Sequence, residues 1–309
     1  MHRHHLGPKQ VILRRVGEGL DEIICDALSA FLPNKVNGTI LVKPNLLKPR
    51  DLLCVTSGPV ILNVCRALSR LGARVVVGDS PAFGSARRVI AGMGDLHEKL
   101  EAMGVEVRDL GRPVNVRLPM GIEVGVSRLA LDADLIVNVP RLKAHCQMRI
   151  TGSVKNLYGT VVGFRKAFYH LLHGGDMGRF SNMILEIAFL FERVITILDC
   201  ITPMHVTGPS GGMPMEMNLI GVSDSPVALD TAIYEVVGAK PKDVPLWRAA
   251  QERGIEGARP EEIEYPFLRP EEIHEGRAFV MPTQLEPLRF SPIRFIKGRT
   301  RSLIRRIVG

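Results

Sequence analysis

The sequence predicts an α/β protein: a mainly parallel sheet with helices on both faces, plus a short hairpin and a basic C-terminal tail. Three observations predict it. Short runs rich in Val and Ile alternate with segments of helical periodicity. Those runs are continuously apolar, as strands buried on both faces must be. Each then ends in polar residues, Pro or Gly, which collects the unusual side chains beyond the strand carboxyl ends, where such sheets bind ligands.

The elements follow in order. Residues 18–32 carry Leu20, Ile23, Ile24, Ala27, Leu28 and Phe31 at helical spacing and stop at Pro33. A strand over 39–42 ends in Lys43-Pro44-Asn45. A helix over 59–71 is closed by Gly72, and a strand over 74–77 ends in Gly78-Asp79-Ser80-Pro81. Another helix ends at Gly104, before a strand starting at Val105. Residues 114–126 read as a hairpin around Met120-Gly121. The strand Leu135 to Val139 ends in Pro140. Residues 141–175 are rich in Gly, His and basic residues, too long for an idle loop. A helix over 176–192, a strand over 194–198, a Gly/Pro/Met loop over 201–217, a strand over 218–222 and a helix over 227–237 complete the pattern. The expected organisation is a flexible N-terminus (1–17), an α/β domain (18–265), and an irregular segment with a basic amphipathic tail (266–309).

Composition narrows the function classes. The 309 residues are 46% hydrophobic and 23% charged, which excludes wholesale disorder. Aromatic residues are 5%, few for a protein that stacks single-stranded bases. The net charge of +8 belongs to the tail: residues 288–309 hold seven basic residues and no acid, leaving 33 basic against 32 acidic residues elsewhere. Five dispersed cysteines form no CxxC pair, so no intrinsic iron–sulfur motif is present and a reducing compartment is expected. The sequence shows no signal-peptide h-region, and the stretch 183–191 is too short to span a bilayer. The expected location is cytoplasmic, peripheral to a membrane if the tail binds one.

Candidate site residues cluster at the strand ends. Lys43 and Asn45 flank a proline that fixes the backbone. Asp79 can ligate a metal, hold a ribose hydroxyl or cap the next helix, and Ser80 beside it is a second polar contact. Neither GxGxxG nor a Walker A pattern occurs, so nucleotide binding by those routes is unsupported. The run from Arg141 to His173 is the richest. Lys143 and Lys155 can act as base or amine nucleophile, His145 as general base, and His145, His170 and His173 as metal ligands. Gly152, Gly159, Gly163, Gly174 and Gly175 let backbone amides approach a ligand closely, so basic groups and exposed N–H groups together suit a carboxylate or phosphate. Asp199 can orient a histidine or bind a metal. Asp230, in a helix interior, is expected to be solvated or salt-bridged.

Set side by side, these segments resemble the family known as domain of unknown function 362. The matches run in order: Val42-Lys43-Pro44-Asn45; Gly78-Asp79-Ser80-Pro81; Val139 to His145; Thr151 to Gly159; Asp199 with Met204, Gly208-Pro209 and Gly211; and Asp224 to Asp230. Members often carry an iron–sulfur label from an appended ferredoxin module; here a basic tail stands in its place. Ser153 and Cys200 stand where the family pattern has Gly. The order His145, Lys155, then His170 or His173 is also similar to the nickel-pincer lactate racemase family, where the resemblance implies a cofactor-bearing Lys and histidines that bind nickel or move protons.

The resulting expectation is an enzyme acting on an anionic small molecule or phosphorylated cofactor by metal-assisted proton transfer or redox chemistry. Catalytic roles fall to His145, Lys155 and Lys143; binding roles to Lys43, Asn45, Ser80, Gly152, Asn156 and Gly159; and a divalent metal to Asp79, Asp199, His170 and His173. Two alternatives stand beside it. One is a redox accessory protein docking a separate ferredoxin or acidic partner. The other is binding of RNA or an anionic membrane surface through residues 288–309.

Overall fold

The computed structural model describes residues 8–285 apart from 18, 34, 50, 83 and 164. The tail over 288–309 therefore lies outside the described residues. The chain begins with β1 (Lys9–Gln10), β2 (Ile12–Arg15) and α1 (Leu20–Ser29), followed by β3 (Thr39–Pro44), α2 (Gly58–Arg70), β4 (Arg74–Asp79), α3 (Ala86–Ile90), α4 (Leu96–Ala102) and β5 (Glu106–Asp109). A hairpin of β6 (Pro113–Arg117) and β7 (Glu123–Ser127) precedes α5 (Arg128–Leu131) and β8 (Leu135–Val139). Then come β9 (Arg141–His145), β10 (Arg149–Thr151), α6 (Ser153–Leu157), α7 (Arg165–His173), α8 (Met177–Ala188) and β11 (Val194–His205). The described chain closes with β12 (Met213–Pro214), β13 (Leu219–Ser223), α9 (Pro226–Val236), α10 (Pro245–Glu252), β14 (Ile263–Glu264) and short 3₁₀ turns.

The expected sheet is present. β11, β8, β3, β4 and β5 lie side by side and all parallel, and β13 and then β2 extend the sheet antiparallel beyond β11. Side chains alternate between its faces, as strand geometry requires. Ile40, Val42 and Val137 pack with Ile24, Val60, Leu68 and Val89 from α1–α3. Leu41 and Ile136 face the other way, onto Leu157, Phe180, Ile184 and Ala249 from α6, α8 and α10. A third cluster joins Leu13, Leu198 and Leu219 to Leu229, Ile233 and Trp247 at the antiparallel edge.

Three expectations are corrected. Residues 9–15, expected in a flexible N-terminus, are ordered as β1 and β2: β2 pairs with β13, and Val11, Ile12 and Leu13 are buried, so this short segment completes the sheet. Residues 141–175 are largely regular, forming β9, β10, α6, a 3₁₀ turn and α7. The strand expected over 194–198 continues to His205, because its second half pairs with β9 and β12.

The chain order creates a switch point. From β3 the chain crosses through α2 to β4 on one side; from β8, which pairs β3 on its other side, it runs through β9 and α6–α8 to β11. The two connections leave β3 and β8 in opposite directions, the arrangement that in sheets of this class places a ligand crevice beyond the strand carboxyl ends.

Candidate functional site

Lys43 is the last side chain but one of β3, in register with Asn138 of β8. It is fully buried. Its amine is 2.8 Å from Asp79 Oδ1, donates to the Pro44 carbonyl at 3.2 Å and reaches Asn156 Oδ1 at 3.3 Å. Asp79, at the end of the neighbouring strand β4, accepts the Leu46 N–H on its other oxygen at 2.7 Å. Asn156 donates to the Lys43 carbonyl at 3.1 Å and to Asn138 Oδ1 at 2.8 Å, and Asn138 in turn donates to the Ser153 carbonyl at 3.0 Å. One hydrogen-bonded network thus ties β3, β4, β8 and α6 together. Such a buried ion pair holds its geometry because each partner's remaining hydrogen-bonding capacity is satisfied.

Gly159 and Gly152 are glycines because of this packing. A Cβ at 159 would lie 2.5 Å from the Lys43 amine, and one at 152 would lie 2.5 Å from Asp230 Oδ1. Asp230 is buried, contrary to the solvated role expected for it; its carboxylate accepts the N–H groups of Ser153 at 2.6 Å and Val154 at 3.0 Å, which begin α6. Burial pushes its pKa up to about 6, against the pull of those two N–H bonds.

Three more lysines close on the same place. The Lys143 amine donates to Asn45 Oδ1 and, at 3.0 Å, to the Cys54 carbonyl. The Lys166 amine, from α7, donates to the Ser80 carbonyl, so at Ser80 it is the backbone oxygen that is engaged. Lys155, on α6, lies 4.6 Å from the centre of the Tyr158 ring. Burial, and then the neighbouring lysine charges, lower Lys155 to about 7. Lys143 and Lys166 fall to about 8, in each case chiefly through burial. Asp79 is the carboxylate whose charge reaches both Lys143 and Lys166 and pairs with Lys43, so three amines share one counter-charge, and Lys155 feels only the charges of the other lysines. A desolvated cluster with that imbalance is built to receive an anion.

The histidines lie beside the lysines. His145 Nδ1 accepts the N–H groups of Gln147 at 3.1 Å and Met148 at 3.3 Å, so its proton sits on Nε2. Gln147 donates to the Gly174 carbonyl at 3.1 Å, which leaves its oxygen to accept from His170 Nδ1 at 3.0 Å, so the His170 Nε2 keeps its lone pair. Burial and then the Lys155 charge keep both rings neutral: His145 falls well below the usual range and His170 to about 3. The pair presents one N–H donor and one acceptor, both set by Gln147.

The four expected metal ligands do not converge. Asp79 and Asp199 spend their oxygens on protein donors, Asp199 accepting from Ser57 N at 2.8 Å and Ile201 N at 3.2 Å, and His173 stacks on Tyr169. Among the described residues no group of three or more His, Cys, Asp or Glu side chains could hold a metal ion. The catalytic and binding candidates Lys43, Asn45, Ser80, Lys143, Asn156 and Gly159, by contrast, meet one another or Lys166 and Asp79 through the contacts above, and Lys155 feels the charges of Lys143 and Lys43. Sequence reasoning passed over Asn138, Gln147 and Lys166 as site residues. Asn138 carried a signal, a lone polar residue inside the apolar run 135–139; Gln147 and Lys166 carried none beyond their place in a basic segment.

Comparison with known proteins agrees with the sequence resemblance. The chain is 33% identical over 267 residues to the thylakoid-associated protein sll1697 of Synechocystis sp., covering 85% of this chain and 82% of that one. It is also similar to the lactate racemase apoprotein from Thermoanaerobacterium thermosaccharolyticum, with a TM-score of 0.43 and 14% identity over 64% of this chain; it spans about half of that protein, 51%. The profile of the domain of unknown function DUF362 matches residues 40–235, and the chain belongs to that family.

Proposed function

We propose that the β3/β8 crevice binds a small polyanion bearing phosphate or carboxylate groups and moves a proton on it. The observation that carries this reading is the convergence of Lys43, Lys143 and Lys166 around the single carboxylate of Asp79, with Lys155 within reach of their charges. Lys43 is committed to Asp79 and sets the frame; Lys143 and Lys166, held by neutral oxygens, and Lys155 supply the charge for the ligand. His145 Nε2–H donates a hydrogen bond to charge developing on the ligand, His170 Nε2 accepts a hydrogen bond from it, and Lys155, lowered to about 7, is the group placed to take up the proton.

Calorimetry with pyrophosphate tests the reading. A bound anion restores the charged form of the amines, so their pKa values rise and binding takes up protons. Since Lys155 stands at about 7 and Lys143 and Lys166 at about 8 in the free protein, affinity should fall as pH rises from neutral through this range. At about pH 8 the observed heat should depend on the buffer's ionisation enthalpy with the sign of proton uptake. Lys166→Met should weaken binding about tenfold, the loss expected for one charge-assisted contact. Binding indifferent to pH in this window, or no binding above a chloride control, contradicts the reading.

A second reading concerns residues 288–309. Their seven basic and no acidic residues, interleaved with Ile293, Ile296, Leu303 and Ile307, favour attachment to an anionic membrane surface. The relative named thylakoid-associated supports it. Among the described residues no helix is long and apolar enough to cross a membrane.

A further inference from the structure

Lys155 differs from its three neighbours. Among the described residues, Lys43 has a carboxylate, Lys143 an amide oxygen and a carbonyl, and Lys166 a carbonyl. The Lys155 amine has neither a hydrogen bond nor an ion pair there; its contact is the face of Tyr158, and the side chain is partly buried. That face is rigid. The Tyr158 ring is held edge-on by His170 at 5.6 Å and Phe180 at 5.8 Å, and its hydroxyl donates to the Lys166 carbonyl at 2.9 Å. The base of Lys155 is equally fixed, because Asp230 grips the first two N–H groups of α6. A primary amine thus sits on a rigid mount, with no acceptor for its protons among the described residues and with other cations around it.

We propose that Lys155 is a covalent nucleophile that forms a Schiff base with an anionic carbonyl compound, an oxo acid whose acidic group is held by Lys143 and Lys166. This deepens the anion-site reading and rests on it. The reason is chemical. An amine must be neutral to attack a carbonyl, and proteins keep lysines neutral by desolvation and by neighbouring cations. Both causes act on Lys155, burial first and Lys143, Lys166 and Lys43 after it. The Tyr158 π face holds the ammonium form only weakly, whereas a carboxylate there would hold it strongly.

The step balances without a further reactant. The nitrogen lone pair forms the N–C bond as the carbonyl π pair moves to oxygen. The nitrogen sheds one proton. The oxygen gains that proton and one more from solvent and leaves as water. A protonated imine remains on Lys155, its carbon being the former carbonyl carbon that carries the acidic group.

Glyoxylate with sodium cyanoborohydride tests this on the full chain at neutral pH. Hydride reduces the imine and leaves a carboxymethyl group on the nitrogen, which peptide mapping by mass spectrometry locates. Lys155 should be modified at least about tenfold faster than exposed lysines such as Lys99, because its neutral fraction at pH 7 is far larger. Pyrophosphate should slow the modification. Lys155→Met should lose it while still binding pyrophosphate, with reduced affinity. Lys155→Arg, which keeps a cation over the ring, serves as the second variant should the first fail to fold. Modification spread evenly over surface lysines, or undiminished in both variants, overturns the proposal. If pyrophosphate binds the wild type and Lys155 stays unmodified, the covalent role alone fails. If Lys155 is modified but pyrophosphate neither binds nor protects, the anion-site reading fails instead.

Discussion

A lysine with no exposed side-chain surface is costly to keep charged, and Lys43 is one. It is held by using all three amine protons: on Asp79, on the Pro44 carbonyl and on Asn156. Replacing it by Met removes the pair's cation and leaves the Asp79 carboxylate buried beside an apolar chain. Lys43→Met should therefore cost about 3 kcal/mol in urea unfolding, and adding Asp79→Asn should recover part of it, because the stranded charge is then gone. A single-variant loss below about 1 kcal/mol would mean that Lys143 or Lys166 takes over as partner. The strand-end motif Lys43-Pro44-Asn45 was legible in the sequence. That Lys43 would turn inward was not, because its partner Asp79 lies 36 residues away on the neighbouring strand. Likewise the basic run 141–173 raised the expectation of an anion site, but nothing in it separated Lys155, the amine without an acceptor among the described residues, from Lys143 and Lys166.

Among the elements, α6 depends most on distant support. Five residues are too few for a helix to be stable alone. It stands because Asp230, from α9, accepts the N–H groups of Ser153 and Val154. Gly152 leaves room for that carboxylate, 2.5 Å from where a Cβ would sit. Asp230→Ala leaves two buried donors unpaired and should cost about 2–4 kcal/mol in chemical denaturation. It should also weaken pyrophosphate binding, since α6 carries Lys155 and Asn156. Unchanged stability would show that water replaces the carboxylate. The sequence made the apolar strands β3, β4 and β8 readable, because burial on both faces demands a continuous apolar run. It hid β9, Arg-Leu-Lys-Ala-His, whose charged residues are buried through partners elsewhere: Arg141 donates to the carbonyls of Thr202 and Val55, and Lys143 to Asn45 and Cys54. It hid Asp230 for the same reason, since a carboxylate in a helix reads as solvated until its acceptor role to another helix is known.

At the scale of the whole molecule, the central body is near neutral and the charge lies in residues 288–309. If that segment brings the chain to a membrane, the full chain should co-sediment with vesicles containing phosphatidylglycerol, and a chain ending at residue 287 should bind at least about tenfold less, each basic residue near the surface contributing about 1 kcal/mol at most. Added salt should release the full chain. Equal binding by both forms, or binding to neutral phosphatidylcholine vesicles, contradicts the reading; binding to RNA in place of vesicles assigns the tail to the other anionic surface.

The alternation of apolar runs and helical segments by itself determined the α/β class and the rim on which the polar residues gather, because burial and periodicity act locally along the chain, and the short motifs at the strand ends carried the family resemblance. Only the tertiary structure decided that β2 closes the sheet, that the switch falls between β3 and β8, that Asp79 belongs to Lys43, and that Lys155 meets no acceptor for its protons among the described residues. Those are pairings between segments tens to hundreds of residues apart, and hydrogen bonds and charges choose their partners in space, where sequence spacing has no say.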